Sequence, residues 1–274
     1  MVEHKNFFIF DGKNSKDFNI HVFDADVDRT APKIVESFEV PGRNGQIIVD
    51  ENRYEDVEHR YLRAVIFEDA DSETDRFRDW LYSHVGYFRL EDTWHPDEFY
   101  LAQVSGEFEP EYSINRDLSK FDINFIRRPE RFLKSGEEWV DMAPYKEHQS
   151  VLKVGLINPT NQIAVPIVRT KGNGTFTVKS SGGASYTLKV EDLPSGQSYK
   201  NWAYHDMEME ESYIDIPVIG TRSINSYVTL SKVESQSIFV KKKGSNAMRL
   251  ELGDIIVYVD GFDAIEIQPR WWKL

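Results

Sequence analysis

The chain has 274 residues, enough for two domains of ordinary size, and 40% of them are apolar, 13% aromatic and 29% charged. That balance excludes a disordered or low-complexity chain, and the absence of cysteine excludes disulfide frameworks, zinc–cysteine sites, iron–sulfur clusters and thiol nucleophiles. The net charge of −13 is uneven, with 29 Asp/Glu against 17 Lys/Arg in residues 1–133 and 17 against 16 in 134–274, and specific nucleic-acid binding needs the opposite sign.

In chain order, FFIF (7–10), NIHVF (19–23), IVESFEV (34–40), QIIV (46–49) and RYLRAVIF (60–67) read as strands. One helix is predicted from Ser72 to about Val85. Ser72 would cap it, with Asp75 at capping-box spacing, and Phe77, Trp80, Leu81 and Val85 would share one face before Gly86 stops it. Strands resume with YFRL, FYLAQVSGEFEPEY and KFDINFIRR, an α+β pattern for residues 1–133. From Arg127 to Ser150 the pattern loosens into a charged, proline-bearing stretch that reads as an interdomain linker. Beyond it come VLKVGLI, AVPIV, GTFTVKS, ASYTLKV, YIDIPVI, SYVTLSKV, SIFVKK, MRLEL, IIVYV and AIEIQ, punctuated by glycine-rich turns. Residues 134–274 therefore read as a β-sandwich or barrel, and the whole chain as mainly β.

The constellations that could carry chemistry fail on their own spacing. Asp24, Asp26 and Asp28 open like a calcium loop, but Arg29 stands at the sharp-turn glycine and Val35 at the bidentate carboxylate. The seven histidines (4, 21, 59, 84, 95, 148, 205) form no zinc-binding pair, and His84 reads as a packing residue beside the helix. The glycines of KGNG, Gly172 and Gly174, lack the fingerprint of a phosphate loop and read as a hairpin turn; Lys241 to Lys243 read as a solvated strand end. Carboxylate pairs such as Glu107/Glu109 and Asp206/Glu208 are expected by chance in so acidic a chain, and no nucleophile elbow is present. No catalytic residue, metal ligand or cofactor site is predicted. Trp202 and Tyr204 could form a partner or glycan surface, whereas Trp271 and Trp272 read as anchors of the chain end on the sandwich. No run of apolar residues approaches a membrane span, and the opening has no secretory apolar region, so assembly in a cytoplasm is expected.

FFIFDGKNSKDFNIHV, ESFEVPGRNGQIIVDENRYEDVEHRYLRAVIF, FDINFIRRPERF, NPTNQIAVPIVRTKGNGTFTVKSS, YIDIPVI and MRLELGDIIVYVDGFDAIEIQPRWWKL together resemble, in order and spacing, the distal tail protein family of siphophages infecting Gram-positive bacteria. The resemblance covers essentially the whole chain. It implies a structural hub of the virion tail tip, not an enzyme. Its N-terminal domain would form a homohexameric ring around a DNA channel, and its C-terminal domain would be a galectin-like sandwich. The implied partners are the tail-tube protein, the tail-associated tip protein and a receptor-binding protein. It also implies that the hairpin region of roughly 36–66, with PGRNG (41–45) at its turn, makes ring contacts. There Val40, Ile47, Val49, Tyr54 and Tyr61 lie among Arg43, Arg53 and Arg60, a mixture suited to a subunit interface. The interface expectation rests on Val40, Arg43, Ile47, Val49, Arg53 and Tyr54. The alternative is a lectin-like module for cell-wall saccharide.

Overall fold

The computed structural model describes residues 6–142, 154–180, 185–191, 202–207, 211–216, 220–223, 228–233 and 248–274. The chain divides into two compact units, residues 1–132 with Leu274, and Leu133–Lys273. His4, His148, Glu208, the Lys241–Lys243 run and the expected strand SIFVKK lie outside the described residues.

In the first unit the strands are β1 (Phe8–Phe10), β2 (Lys13–Asn14), β3 (Ile20–Asp26), β4 (Lys33–Glu39), β5 (Gln46–Tyr54), β6 (Val57–Ile66), β7 (Phe88–Asp92), β8 (Glu98–Val104), β9 (Glu111–Tyr112) and β10 (Ser119–Arg127). Seven of them form an antiparallel sheet in the order β2-β1-β7-β8-β10-β6-β3, with β9 on β10; β4 and β5 pair only with each other. Alternation along β10 buries Ser119, Phe121, Ile123, Phe125 and Arg127 and turns the intervening residues outward. The buried side holds an aromatic-rich core in which Tyr61 stacks on Phe8 at 4.6 Å, and Phe77 of the helix stacks on Phe121 at 5.8 Å. FYLAQVSGEFEPEY is not one strand. It breaks after Val104, where Gly106 takes φ +74.

The helix α1 spans Ala70–Leu81 and starts two residues before Ser72. Asp69 precedes it at φ +50 with no side-chain cap bond, and the Ser72 hydroxyl instead donates to the Asp69 carbonyl at 3.1 Å. It also stops four residues short of Val85. The Trp80 carbonyl accepts from the Ser83 hydroxyl at 2.7 Å and contacts His84 Nδ1 at 2.9 Å, which satisfies the helix end locally. Val85 is 91% exposed and joins no helix face.

A short strand β11 (Arg131–Leu133) leads into the second unit. Its strands are β12 (Val140–Asp141), β13 (Val154–Asn158), β14 (Ile167–Lys171), β15 (Gly174–Ser180), β16 (Ser185–Val190), β17 (Ala203–Asp206), β18 (Glu211–Ile216), β19 (Gly220–Ser223), β20 (Val228–Val233), β21 (Gly253–Asp260), β22 (Ala264–Gln268) and β23 (Trp272–Lys273). Two antiparallel sheets, β12-β22-β14-β17-β18-β19 and β13-β21-β15-β16-β20, give their inward residues to one core. Val168, Ile265 and Ile267 come from one sheet, and Phe176, Leu188 and Val257 from the other. That is a β-sandwich, so the barrel option closes.

Three sequence expectations change here. KGNG is not a hairpin turn, because β14 and β15 belong to different sheets. Gly172 takes φ +81, and a Cβ on Gly174 would meet the Asp260 carbonyl at 2.4 Å, so the chain crosses between sheets where no side chain fits. In MRLEL only Leu250 pairs, through a bridge to Ala164. Of the loosened stretch 127–150, residues to Met142 are described and are ordered by pairing: Val140 faces Ile267, and Met142 is buried.

Candidate assembly surface

The ribbon of β4 and β5 is where the chain departs from the usual rule that apolar strands cover a core. Pro41 and Gly42 are the central residues of its turn, with Gly42 at φ +82 and the Arg43 amide donating to the Val40 carbonyl at 3.1 Å. That is the pattern of a type II turn. Register then fixes the faces: Phe38 lies opposite Ile47 and Glu36 opposite Val49, while Ser37 lies opposite Ile48 and Val35 opposite Asp50. Phe38 is 50% exposed, Val49 45% and Ile48 67%. A two-stranded ribbon is marginal alone in water, and this one presents apolar groups on both sides.

The expected interface residues are all on or beside this ribbon, but the pleat separates them. Ile47, Val49 and Arg53 alternate onto the Phe38 face, with Val40 continuing it, whereas Tyr54 falls on the Ile48 face. Arg53 pairs with Glu51 at 2.6 Å, and Lys33 with Asp50 at 2.5 Å. Arg43 is exposed at the tip and forms no ion pair among the described residues. Phe38, Ile48 and Val35 are exposed on the same ribbon but absent from the expected set, although IVESFEV (34–40) could have supplied Phe38 and Val35 and QIIV (46–49) Ile48. The predicted hairpin of 36–66 is too long. Val57–Ile66 is a strand of the main sheet, Tyr61 is fully buried there, and the Arg60 guanidinium donates to Asn124 at 2.9 Å.

The root of the ribbon is held by a buried cation. Arg127 is 1% exposed, and its guanidinium donates to the carbonyls of Arg29 at 2.8 Å, Arg128 at 3.1 Å and Pro129 at 3.3 Å while lying over the Tyr100 ring. Beside it, Tyr61 donates to Asp92 at 3.2 Å, and Asp92 accepts the amides of Trp94 and His95 at 2.9 Å each. Burial pushes the pKa of His59 below its ordinary value, so this ring is neutral at pH 7. The three aspartates of the calcium-like rhythm go to different partners: Asp24 to Arg63 at 2.6 Å, Asp26 to Arg29 at 2.7 Å and Asp28 to His95 at 3.0 Å. His84 lies 4.9 Å from the Phe88 ring and 3.1 Å from Asp11.

A second surface lies on the β14–β17–β22 sheet. Arg169 stands 4.1 Å from the Trp139 ring and 4.5 Å from Trp202, Lys171 lies 4.6 Å from Trp202, and Tyr204 meets Trp139 edge-on at 6.3 Å. Arg169 also pairs with Glu266. The Trp202 ring is therefore engaged by cations within the unit. Trp271 is 5% exposed in the sandwich core, and Trp272 Nε1 donates to the Ile163 carbonyl at 2.9 Å, as expected of chain-end anchors.

No protein-family model and no curated protein matches the sequence. Solved structures do. A structure of the SPP1 Dit protein, described as a paradigm of the hub adsorption apparatus in phages infecting Gram-positive bacteria, matches over 96% of this chain and 97% of its own, with a TM-score of 0.64 at 12% identity. The fold is that of SPP1 Dit. A chain from the phage P2 baseplate, in its activated conformation with calcium, matches over 97% of both chains with a TM-score of 0.50 at 9% identity. The Dit fold thus accounts for both units, and the resemblance read from the sequence agrees with it along the whole chain.

Proposed function

We propose that the chain is the structural hub of a siphophage tail tip. Six copies form a ring through the first unit, which joins the tail tube to the tail-associated tip protein and leaves a channel for DNA. The second unit, the sandwich, faces outward toward the receptor-binding apparatus. The role is non-catalytic, and the protein resides in the virion after assembly in the host cytoplasm.

One observation carries this reading. In a chain with the Dit fold, the β4–β5 ribbon holds Phe38, Ile47, Ile48 and Val49 in water with no core beneath them. Side chains of that kind are stabilised by burial against another subunit. The excess of carboxylates in residues 1–133 supports the channel, since an acidic wall repels a passing polyanion. Light scattering on a sizing column, with negative-stain imaging, tests the proposal. A mass near six protomers and ring-shaped particles are expected. A single-protomer mass at all concentrations, with or without tail-tube and tip proteins, would count against it.

A further inference from the structure

We propose that the tip of the β4–β5 ribbon is a site of spontaneous covalent ageing, at which Asn44 loses its side-chain amide and becomes aspartate or isoaspartate. The sequence has two Asn-Gly pairs, Asn44–Gly45 and Asn173–Gly174. The chemistry needs the main-chain nitrogen of the following residue to reach the asparagine Cγ, and glycine, without a Cβ, hinders that approach least. All that separates the two pairs is the fold around them. Asn44 and Gly45 are both exposed just before β5 begins. Gly45 takes φ +81, a Cβ built on it would meet nothing within 4 Å, and among the described residues its amide donates no hydrogen bond. The tip is therefore free to turn its nitrogen onto the neighbouring side chain. Asn173 is exposed too, but Gly174 opens β15 opposite Val190. A Cβ on Gly174 would meet the Phe262 nitrogen at 2.7 Å, and one on Gly261 would meet the Asn173 carbonyl at 3.1 Å. That backbone cannot turn without opening the crossing between the two sheets.

The step balances with water as the only co-reactant. Hydroxide takes the Gly45 amide proton, and the nitrogen attacks Asn44 Cγ. The new N–Cγ bond closes a succinimide as the Cγ–Nδ2 bond breaks, and Nδ2 takes a proton from water and leaves as ammonia. Water then opens the ring. Cleavage of the N–Cγ bond gives aspartate, and cleavage at the Asn44 main-chain carbonyl carbon gives isoaspartate, whose backbone is longer by a methylene. Either product sets a carboxylate beside Arg43, the only charged residue among 41–45, and cancels the positive charge of the tip. Where the ribbon meets another copy, an aged tip weakens that contact. This last consequence rests on the ring reading above, whereas the chemistry at Asn44 does not.

The test incubates the purified chain in mildly alkaline buffer, native and in guanidinium chloride, and maps its peptides by mass spectrometry, with isoaspartate-specific methylation as a second readout. In the native chain Asn44 is expected to convert about tenfold faster than Asn173 or more. In denaturant, where the fold no longer separates the two pairs, their rates should converge. Asn44→Gln, whose longer side chain closes a ring far more slowly, should stay unmodified. Light scattering of the same samples should show assembly falling in the aged wild type and holding in aged Asn44→Gln. A native Asn44 that converts no faster than Asn173 overturns the site. Conversion at Asn44 with assembly unchanged overturns its effect on association. A fresh wild-type chain that is monomeric under all conditions overturns the ring reading, and faster conversion at Asn44 in that chain still upholds the site.

Discussion

Two buried side chains set the sharpest expectations for single residues. Arg127 supplies hydrogen bonds to three carbonyls near the ribbon root, and Arg127→Met removes all of them while keeping much of the volume. Carbonyls left without donors in a dry setting cost stability, and hydrogen bonds from a charged group carry about 1.5–3 kcal/mol each in mutational series. The substitution should lower the unfolding free energy of the first unit by roughly 3 kcal/mol, read from urea curves. His205 is the second case. It is 1% exposed in the sandwich, 3.0 Å from the Thr170 hydroxyl, and burial pushes its pKa down from 6.5 to about 3. The unfolded ring takes up a proton that the folded ring refuses. Its contribution is therefore complete above pH 6.5 and is lost as the pH falls toward 3. At pH 5 the second unit should be destabilised by about 2 kcal/mol relative to pH 8, and His205→Gln should flatten that slope in thermal melts. Arg127 was half legible in the sequence: its position has the buried parity of β10, but a charged residue at such a position reads as solvated until its partners are known. His205 was not legible, because its strand is too short to show a parity.

At the level of elements, the ribbon and the helix show opposite relations between pattern and outcome. The alternation of β4 and β5 was readable, but whether a strand joins the main sheet or leaves it depends on partners far away in sequence, and no local pattern encodes that choice. So the strand holding Tyr61 was grouped with the ribbon when it belongs to the core. The helix was legible through Phe77 and Leu81, yet both of its ends were misplaced. Asp69 in the left-handed region starts it without a side-chain cap, and Ser83 and His84 finish it by bonding to Trp80. The strand β17 was missed altogether because four residues are too few for a periodicity to show. Phe38→Ser combined with Ile47→Ser should abolish assembly. Because both side chains are exposed in the single chain, its melting temperature should move by no more than about 2 °C. Light scattering and a thermal melt of the same sample check this pair of outcomes. A large fall in melting temperature would mean that the ribbon supports its own subunit instead.

For the molecule as a whole, charge and apolar exposure act at different ranges. In the proposed ring the carboxylate excess in residues 1–133 would repel neighbouring copies at long distance, and the ribbon would attract them only on contact. Assembly should therefore tighten as salt rises from about 20 to 200 mM, when the Debye length falls below about 10 Å. Sedimentation at the two salt concentrations checks the sign. Weaker association in salt would point instead to ion pairs as the dominant contact. The mainly β character of the chain could be foreseen from strand spacing, whereas the sandwich's division into two sheets could not. The crossing at Gly172 and Gly174 looks, in sequence, like any tight turn.

The first and last segments of the sandwich lie side by side. The Leu133 amide donates to the Trp271 carbonyl at 2.8 Å, the Arg270 amide to the Gly136 carbonyl at 2.8 Å, and a Cβ on Gly136 would meet the Trp271 nitrogen at 2.3 Å. The start and the end of the unit are thus clasped at one seam. A unit built in this way should tolerate insertion or exchange of surface residues away from the seam while the splice stays the same, without reopening the rest of the chain.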